Sequence, residues 1–140
     1  MVQRRASCRS GRFDYRPDRP GRQTAMHIFM TGGTGFVGPA LVRRLLAGGH
    51  ALRLWVRSPE RAREQLGDLA TKVELVPASG GAAAMQTAIA DADAVVNLAG
   101  EPVIGKRWTE KQKQSLAASR VGITDQIVAA IAATPRQRVL

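Results

Sequence analysis

The chain has 140 residues, of which 44% are hydrophobic, and carries a net charge of +10; that is one domain's worth of sequence, apolar enough to bury a core and too apolar for a disordered chain. Its single cysteine, Cys8, excludes an internal disulfide and a cysteine metal cluster, and His27 and His50 have no carboxylate or thiol near them at ligand spacing. No apolar run approaches the roughly 20 residues that span a bilayer, and the N-terminus lacks the apolar stretch of a secretory signal, so a cytoplasmic protein with no membrane partner is expected.

Residues 1–25 hold seven arginines (Arg4, Arg5, Arg9, Arg12, Arg16, Arg19 and Arg22) against Asp14 and Asp18, a surplus of five and half the charge of the whole chain. Gly11, Pro17, Pro20 and Gly21 are scattered through this stretch, which has no hydrophobic periodicity. It cannot bury enough apolar area to offset its ordering entropy, so a disordered basic extension is expected. Three readings stay open: an arm for nucleic acid, an arginine-rich targeting peptide, or an upstream extension without a role. The last is favoured, because the fold signals begin abruptly at Met26, and nucleic acid is the weaker partner.

From Met26 short apolar runs alternate with helix-period segments. His27-Ile28-Phe29-Met30 runs straight into glycines, as a central parallel strand buried on both faces does. Residues 38–47 read as a helix with Val37, Leu41, Leu45 and Leu46 on one face and Arg43 and Arg44 on the other. Pro39 fits only near its start, and Gly48-Gly49 ends it. Residues 52–56 are the second strand. Ser58 and Pro59 then serve as N-cap and first residue of a charged helix reaching about Leu69.

A short third strand covers residues 73–76 and is halted by Pro77. An alanine-rich helix follows over residues 82–90, with Met85 and Ile89 at helical spacing, and residues 94–98 form the fourth strand. Thr109-Glu110-Lys111-Gln112 matches a capping box; it opens a long helix striped by Leu116, Ile123, Ile127 and Ile131 and stopped at Thr134-Pro135. Residues 138–140 look like the beginning of a fifth strand. This alternation predicts an α/β fold: a Rossmann-type, doubly wound parallel sheet over residues 26–140, incomplete at the start of its fifth strand.

The turn after the first strand reads Thr31-Gly32-Gly33-Thr34-Gly35-Phe36-Val37-Gly38, with Gly32, Gly35 and Gly38 spaced G-x-x-G-x-x-G. Each glycine has a physical task in a dinucleotide-binding turn. Gly32 permits the tight bend off the strand. Gly35 lets a phosphate approach the backbone, and Gly38 lets helix and strand pack closely. The helix N-terminus offers N–H groups and partial positive charge to a pyrophosphate. The context, an apolar strand before and an amphipathic helix after, is what separates this motif from a glycine-rich loop with no ligand.

At the end of the second strand an acidic residue would bind the ribose hydroxyls of NAD(H). Here Arg57-Ser58 stands instead, and a guanidinium can pair with a 2′-phosphate, so NADP(H) is preferred and NAD(H) is the alternative. The competing reading of Arg57 is a solvated arginine at a strand end. The fourth strand ends in Asn97-Leu98-Ala99-Gly100, followed by Glu101, at the edge where a parallel sheet faces its cofactor. Ala99 and Gly100 would leave room for a ribose, and Asn97 would fix the local backbone or a water.

Taken together, the glycine turn, Arg57-Ser58-Pro59 and Asn97-Leu98-Ala99-Gly100 resemble the extended short-chain dehydrogenase/reductase superfamily. The stretch Asn97-Leu-Ala-Gly-Glu-Pro-Val-Ile-Gly-Lys-Arg-Trp-Thr109, followed by Ser119-Arg120-Val121 and Thr124, resembles more narrowly its NAD-dependent epimerase/dehydratase-like branch, the "epimerase family proteins". The resemblance covers residues 26–140. It implies an oxidoreductase whose N-terminal part binds the dinucleotide and whose C-terminal part binds a small-molecule substrate. In the broader superfamily a Tyr-x-x-x-Lys pair after the fifth strand does the acid–base work, and the branch matches that rule poorly. The one tyrosine, Tyr15, lies in the arm with no lysine four residues on, so no catalytic residue is assigned and the chain is expected to be inactive alone, as a fragment or a truncated product. Lys106, Arg107 and Trp108, with Glu101, belong to the loop bordering the cleft. They either shape a pocket for an anionic substrate or face solvent, with Trp108 as a packing anchor. A non-catalytic NADP(H)-sensing module is the alternative to an enzyme.

Overall fold

The computed structural model describes residues 25–100 and 109–134. The extension over residues 1–24, the loop residues Glu101, Lys106, Arg107 and Trp108, and the expected fifth strand at 138–140 lie outside the described residues. Strands β1 (His27–Thr31), β2 (Ala51–Val56), β3 (Glu74–Pro77) and β4 (Ala94–Asn97) are all parallel and stand in the order β3-β2-β1-β4. Between and after them run helices α1 (Gly38–Ala47), α2 (Pro59–Leu66), α3 (Gly81–Ala90) and α4 (Glu110–Ala132). This is the doubly wound Rossmann-type sheet that strand–helix alternation predicts.

β1 lies between two neighbours and is buried on both faces, with Phe29 and Met30 fully enclosed. Its side chains divide the interior in two. Ile28 and Met30 point to one side, where they pack with Leu52, Leu54 and Val56 of β2, Val42 of α1, and Ala62 and Leu66 of α2. Phe29 points to the other, against Met85 and Ile89 of α3 and Ile127 of α4. α1 and α2 therefore cover one face of the sheet, and α3 and α4 the other.

Several boundaries differ from the sequence expectation, each for a local reason. Val37 is not part of the α1 core face: it precedes the helix and is 57% exposed, and Val42 fills the interior position instead. α2 stops at Leu66 because Gly67 turns to φ +55, and residues Gly67–Lys72 continue as a 3₁₀ turn. β3 does stop at Pro77, but it runs over Glu74–Pro77 where 73–76 was expected, so that Pro77 is its last residue, paired with Val56; an edge strand tolerates the missing N–H. Within the alternating pattern of β2, Arg53 points to the α3 side. Its Nε donates to Glu74 at 2.7 Å, and its Nη1 donates to Asp91 at 2.6 Å and to the Ala88 carbonyl at 2.7 Å. That guanidinium holds the Asp91 carboxyl below the usual carboxylate range. Both histidines serve the same end of the sheet: His50 Nδ1 accepts from Met26 N, while His27 N donates to Asp93. Among the described residues no helix is long and apolar enough to cross a membrane.

Candidate functional site

β1 feeds α1 on one face of the sheet, and β4 lies beside it with its following helix on the other face. Such a reversal of direction leaves a crevice beyond the carboxyl ends of the two strands. Register places Thr31 opposite both Trp55 and Asn97, so three strand ends share one level. Above them opens a cleft of about 680 Å³, within the range of roughly 300–1,000 Å³ typical of small-molecule sites.

Its floor is the glycine turn. Gly32 takes φ +70, and a Cβ there would lie 2.5 Å from the Leu98 carbonyl carbon and 2.7 Å from Ala99 N, so the turn and the loop after β4 touch backbone to backbone. Gly35 N donates to the Gly32 carbonyl at 3.0 Å and Gly38 N to the Gly35 carbonyl at 3.2 Å, coiling the turn. Gly35 is exposed and lines the cleft with Thr31, Gly32 and Thr34. Gly38 is buried, and a Cβ on it would overlap the Gly33 carbonyl; the close approach it permits is to the turn itself, where helix-to-strand packing was expected. Gly33 faces the interior, 3.2 Å from the Leu54 side chain by its own virtual Cβ. Phe36 is fully exposed at the outer rim of the turn, beside Val37. No side chain caps α1, and its first turn carries no acidic residue, which leaves the positive end of the helix to an anion.

One wall comes from β2 and α2. Arg57, Ser58, Arg61 and Gln65 line it, with Trp55 and Val56 at its base. Ser58 performs the capping its position predicts: its hydroxyl accepts from Arg61 N at 3.3 Å and donates to Glu60 Oε2 at 2.9 Å. Among the described residues the salt bridges are those of Arg53, and neither Arg57 nor Arg61 takes part in one. Among the described residues that line the cleft, none is a carboxylate. Arg61 was not singled out in the sequence; the signal was there, since residues 57, 61 and 65 repeat every fourth position across a capped helix start.

The opposite wall is the loop after β4, where Leu98, Ala99 and Gly100 line the cleft together with Ser119 and Ile123 of α4. Asn97 turns out to fix backbone. Its Oδ1 accepts from Thr31 Oγ1 at 2.5 Å and from Ala99 N at 3.3 Å, and its Nδ2 donates to Thr124 Oγ1 at 3.2 Å. Thr31, only 1% exposed, also accepts from Ala99 N at 3.3 Å. One hydrogen-bonded chain thus joins β1, β4 and α4 at the mouth of the crevice. Sequence reading had Thr124 only through the family resemblance.

A family model for the NAD dependent epimerase/dehydratase family matches residues 28–140, from the first residues of β1 onward. The chain belongs to that family. Among curated relatives of this epimerase/dehydratase-family chain, the "Epimerase family protein SDR39U1 homolog, chloroplastic" of Arabidopsis thaliana is 34% identical over 116 residues, which is 83% of this chain and 32% of that protein. Among solved structures, a candidate epimerase from Burkholderia cenocepacia J2315 is 32% identical with a TM-score of 0.60, covering 84% of this chain and 36% of the other. The UDP-glucose 4-epimerase of Brucella ovis, solved in complex with NAD, has a TM-score of 0.64 over 82% of this chain and 34% of its own; at 18% identity it shares the fold. The chain spans about a third of the length of the curated relatives it matches.

Proposed function

We propose that this chain is the NADP(H)-binding Rossmann part of an epimerase/dehydratase-like oxidoreductase, with NAD(H) as the weaker ligand. The catalytic and substrate-binding machinery then belongs to the portion of the family that this chain does not span. One observation carries the reading: a single cleft combines an uncapped helix N-terminus behind a glycine turn with two arginines that have no ion-pair partner among the described residues. That combination suits a dianionic ligand with a further phosphate at one end.

In this reading residues 32–35 and the start of α1 hold the pyrophosphate. Arg57 meets the 2′-phosphate of the adenosine ribose, and Ala99 and Gly100, small on the far wall, leave room for the second ribose. When bound, the dinucleotide supplies the hydride donor or acceptor. The residues of this chain orient it and exclude water from one side.

Quenching of Trp55, which lines the cleft, gives a direct titration. NADPH should bind at least about tenfold more tightly than NADH, in keeping with a charge-assisted contact to the extra phosphate. Arg57→Asp should reverse the order, because a carboxylate accepts from ribose hydroxyls and repels a phosphate. Equal affinities for the two nucleotides in the unaltered chain, or an unchanged ratio in the variant, would refute the assignment.

A further inference from the structure

We propose that Arg61 is a second specificity-determining residue, closing with Arg57 a two-guanidinium clamp on the 2′-phosphate. The inference rests on the NADP(H) reading above and narrows it to named donors. Four side chains on the wall from β2 and α2 can donate to a phosphate: Arg57, Ser58, Arg61 and Gln65, and of these Gln65 is a neutral amide that adds no charge. Ser58 is withdrawn from that task. Its one hydroxyl hydrogen goes to Glu60 Oε2 at 2.9 Å, and the same oxygen receives the Arg61 amide at 3.3 Å. A serine that caps the helix in this way has no donor left to offer an anion.

Arg61 is placed differently. It occupies the third position of α2, four residues beyond Arg57, and lines the same cleft. It has no salt-bridge partner among the described residues. A phosphate monoester carries about −1.5 to −2 charges at neutral pH, so one guanidinium neutralises only part of it, and a second within reach of the same oxygens completes the match. Arg63, two residues further on, provides the contrast: it is absent from the cleft lining, and its charge acts on Glu60. The 2′-phosphate is thus met by Arg57, just past the end of β2, and by Arg61, which α2 turns toward the cleft, and by neither the serine between them nor the arginine beyond.

The test uses the full chain and three probes: NADPH, NADH and adenosine 2′,5′-bisphosphate, titrated by calorimetry. Arg61→Gln should weaken NADPH and the bisphosphate about tenfold, the size of one charge-assisted contact near solvent, while NADH changes less than about twofold. Arg61→Lys should restore part of the loss, as a point charge without the planar fork. Arg63→Gln should leave all three affinities in place. If unaltered protein prefers NADPH and Arg57→Asp reverses that preference, yet Arg61→Gln keeps the original ratio, this inference falls and the NADP(H) reading stands. An equal loss for NADPH and NADH in Arg61→Gln also overturns it. If unaltered protein does not prefer NADPH, both fall together.

Discussion

Gly38→Ala separates two physical expectations of opposite sign. On helix propensity alone, alanine in place of glycine stabilises by about 0.5–1 kcal/mol. In the structure the new Cβ would overlap the Gly33 carbonyl and sit 2.7 Å from the Gly32 carbonyl oxygen. Both obstacles are backbone, so helix and turn must separate by on the order of 1 Å to regain ordinary contact. Overpacking of this kind costs about 1–3 kcal/mol, and a backbone–backbone overlap belongs in the upper half of that range, about 2–3 kcal/mol; less the propensity gain, the net loss is about 1–2.5 kcal/mol. For a domain of roughly 100 residues that is a fall in Tm of about 4–20 °C. Gly122→Ala is the matched control. It lies inside α4 with nothing within 4 Å of the added Cβ, so only the propensity term applies and Tm should rise. Calorimetric melts of the two variants beside the parent decide the matter. A Gly38→Ala protein as stable as the parent would show that the turn yields freely, and the steric argument for this glycine would be lost. The same displacement moves the start of α1 relative to the cleft, so dinucleotide affinity should fall along with Tm.

Two further predictions concern residues away from the phosphate. Thr31→Val keeps the shape but removes the hydroxyl that donates to Asn97 and accepts from Ala99 N; Asn97 Oδ1 and Ala99 N still face each other at 3.3 Å, so urea denaturation should show a loss of about 1–2 kcal/mol, and an unchanged midpoint would refute the linkage. The lowered pKa of Asp91, caused first by its hydrogen bond from Arg53, means that this pair stabilises fully above the ordinary carboxylate value of 3.8 and ceases to do so as the pH falls through the lower folded value. Asp91→Asn should therefore flatten the acid limb of a stability–pH curve. The effect should be under about 1 kcal/mol, as for a pair open to solvent, and an acid limb identical to the parent's would count against it.

Most local features were legible because they follow from one or two residues. Ser58 and Pro59 start α2 as their chemistry demands, Gly48-Gly49 stop α1, and the run from Ile28 to Met30 is buried on both faces. The glycine turn could be placed at the cleft because its flanking strand and helix were both readable. What escaped notice depends on partners distant in sequence. Arg53 looks like a polar residue on a half-exposed strand until β3 and α3 bring Glu74 and Asp91 beside it. Val42 takes the interior place that spacing alone divided among several residues, because the sheet meets α1 at a particular rotation. The role of Gly38 needed the path of the turn's own carbonyls, and Arg61 needed the observation that Ser58 is already occupied as a cap.

The backbone contact between Gly32 and the Leu98–Ala99 peptide has a mechanical consequence. Leu98 N donates to the Thr31 carbonyl at 3.1 Å, and Ala99 N to the Thr31 hydroxyl at 3.3 Å, so the two loops at the crevice move as a single stiff hinge plate. A molecule that shifts the loop after β4 must carry the glycine turn with it, and one that seats in the turn must fix that loop. Occupancy on either side is then felt on the other with equal and reciprocal energy, carried by the main-chain bond from Leu98 N to the Thr31 carbonyl even where the Thr31 hydroxyl is removed.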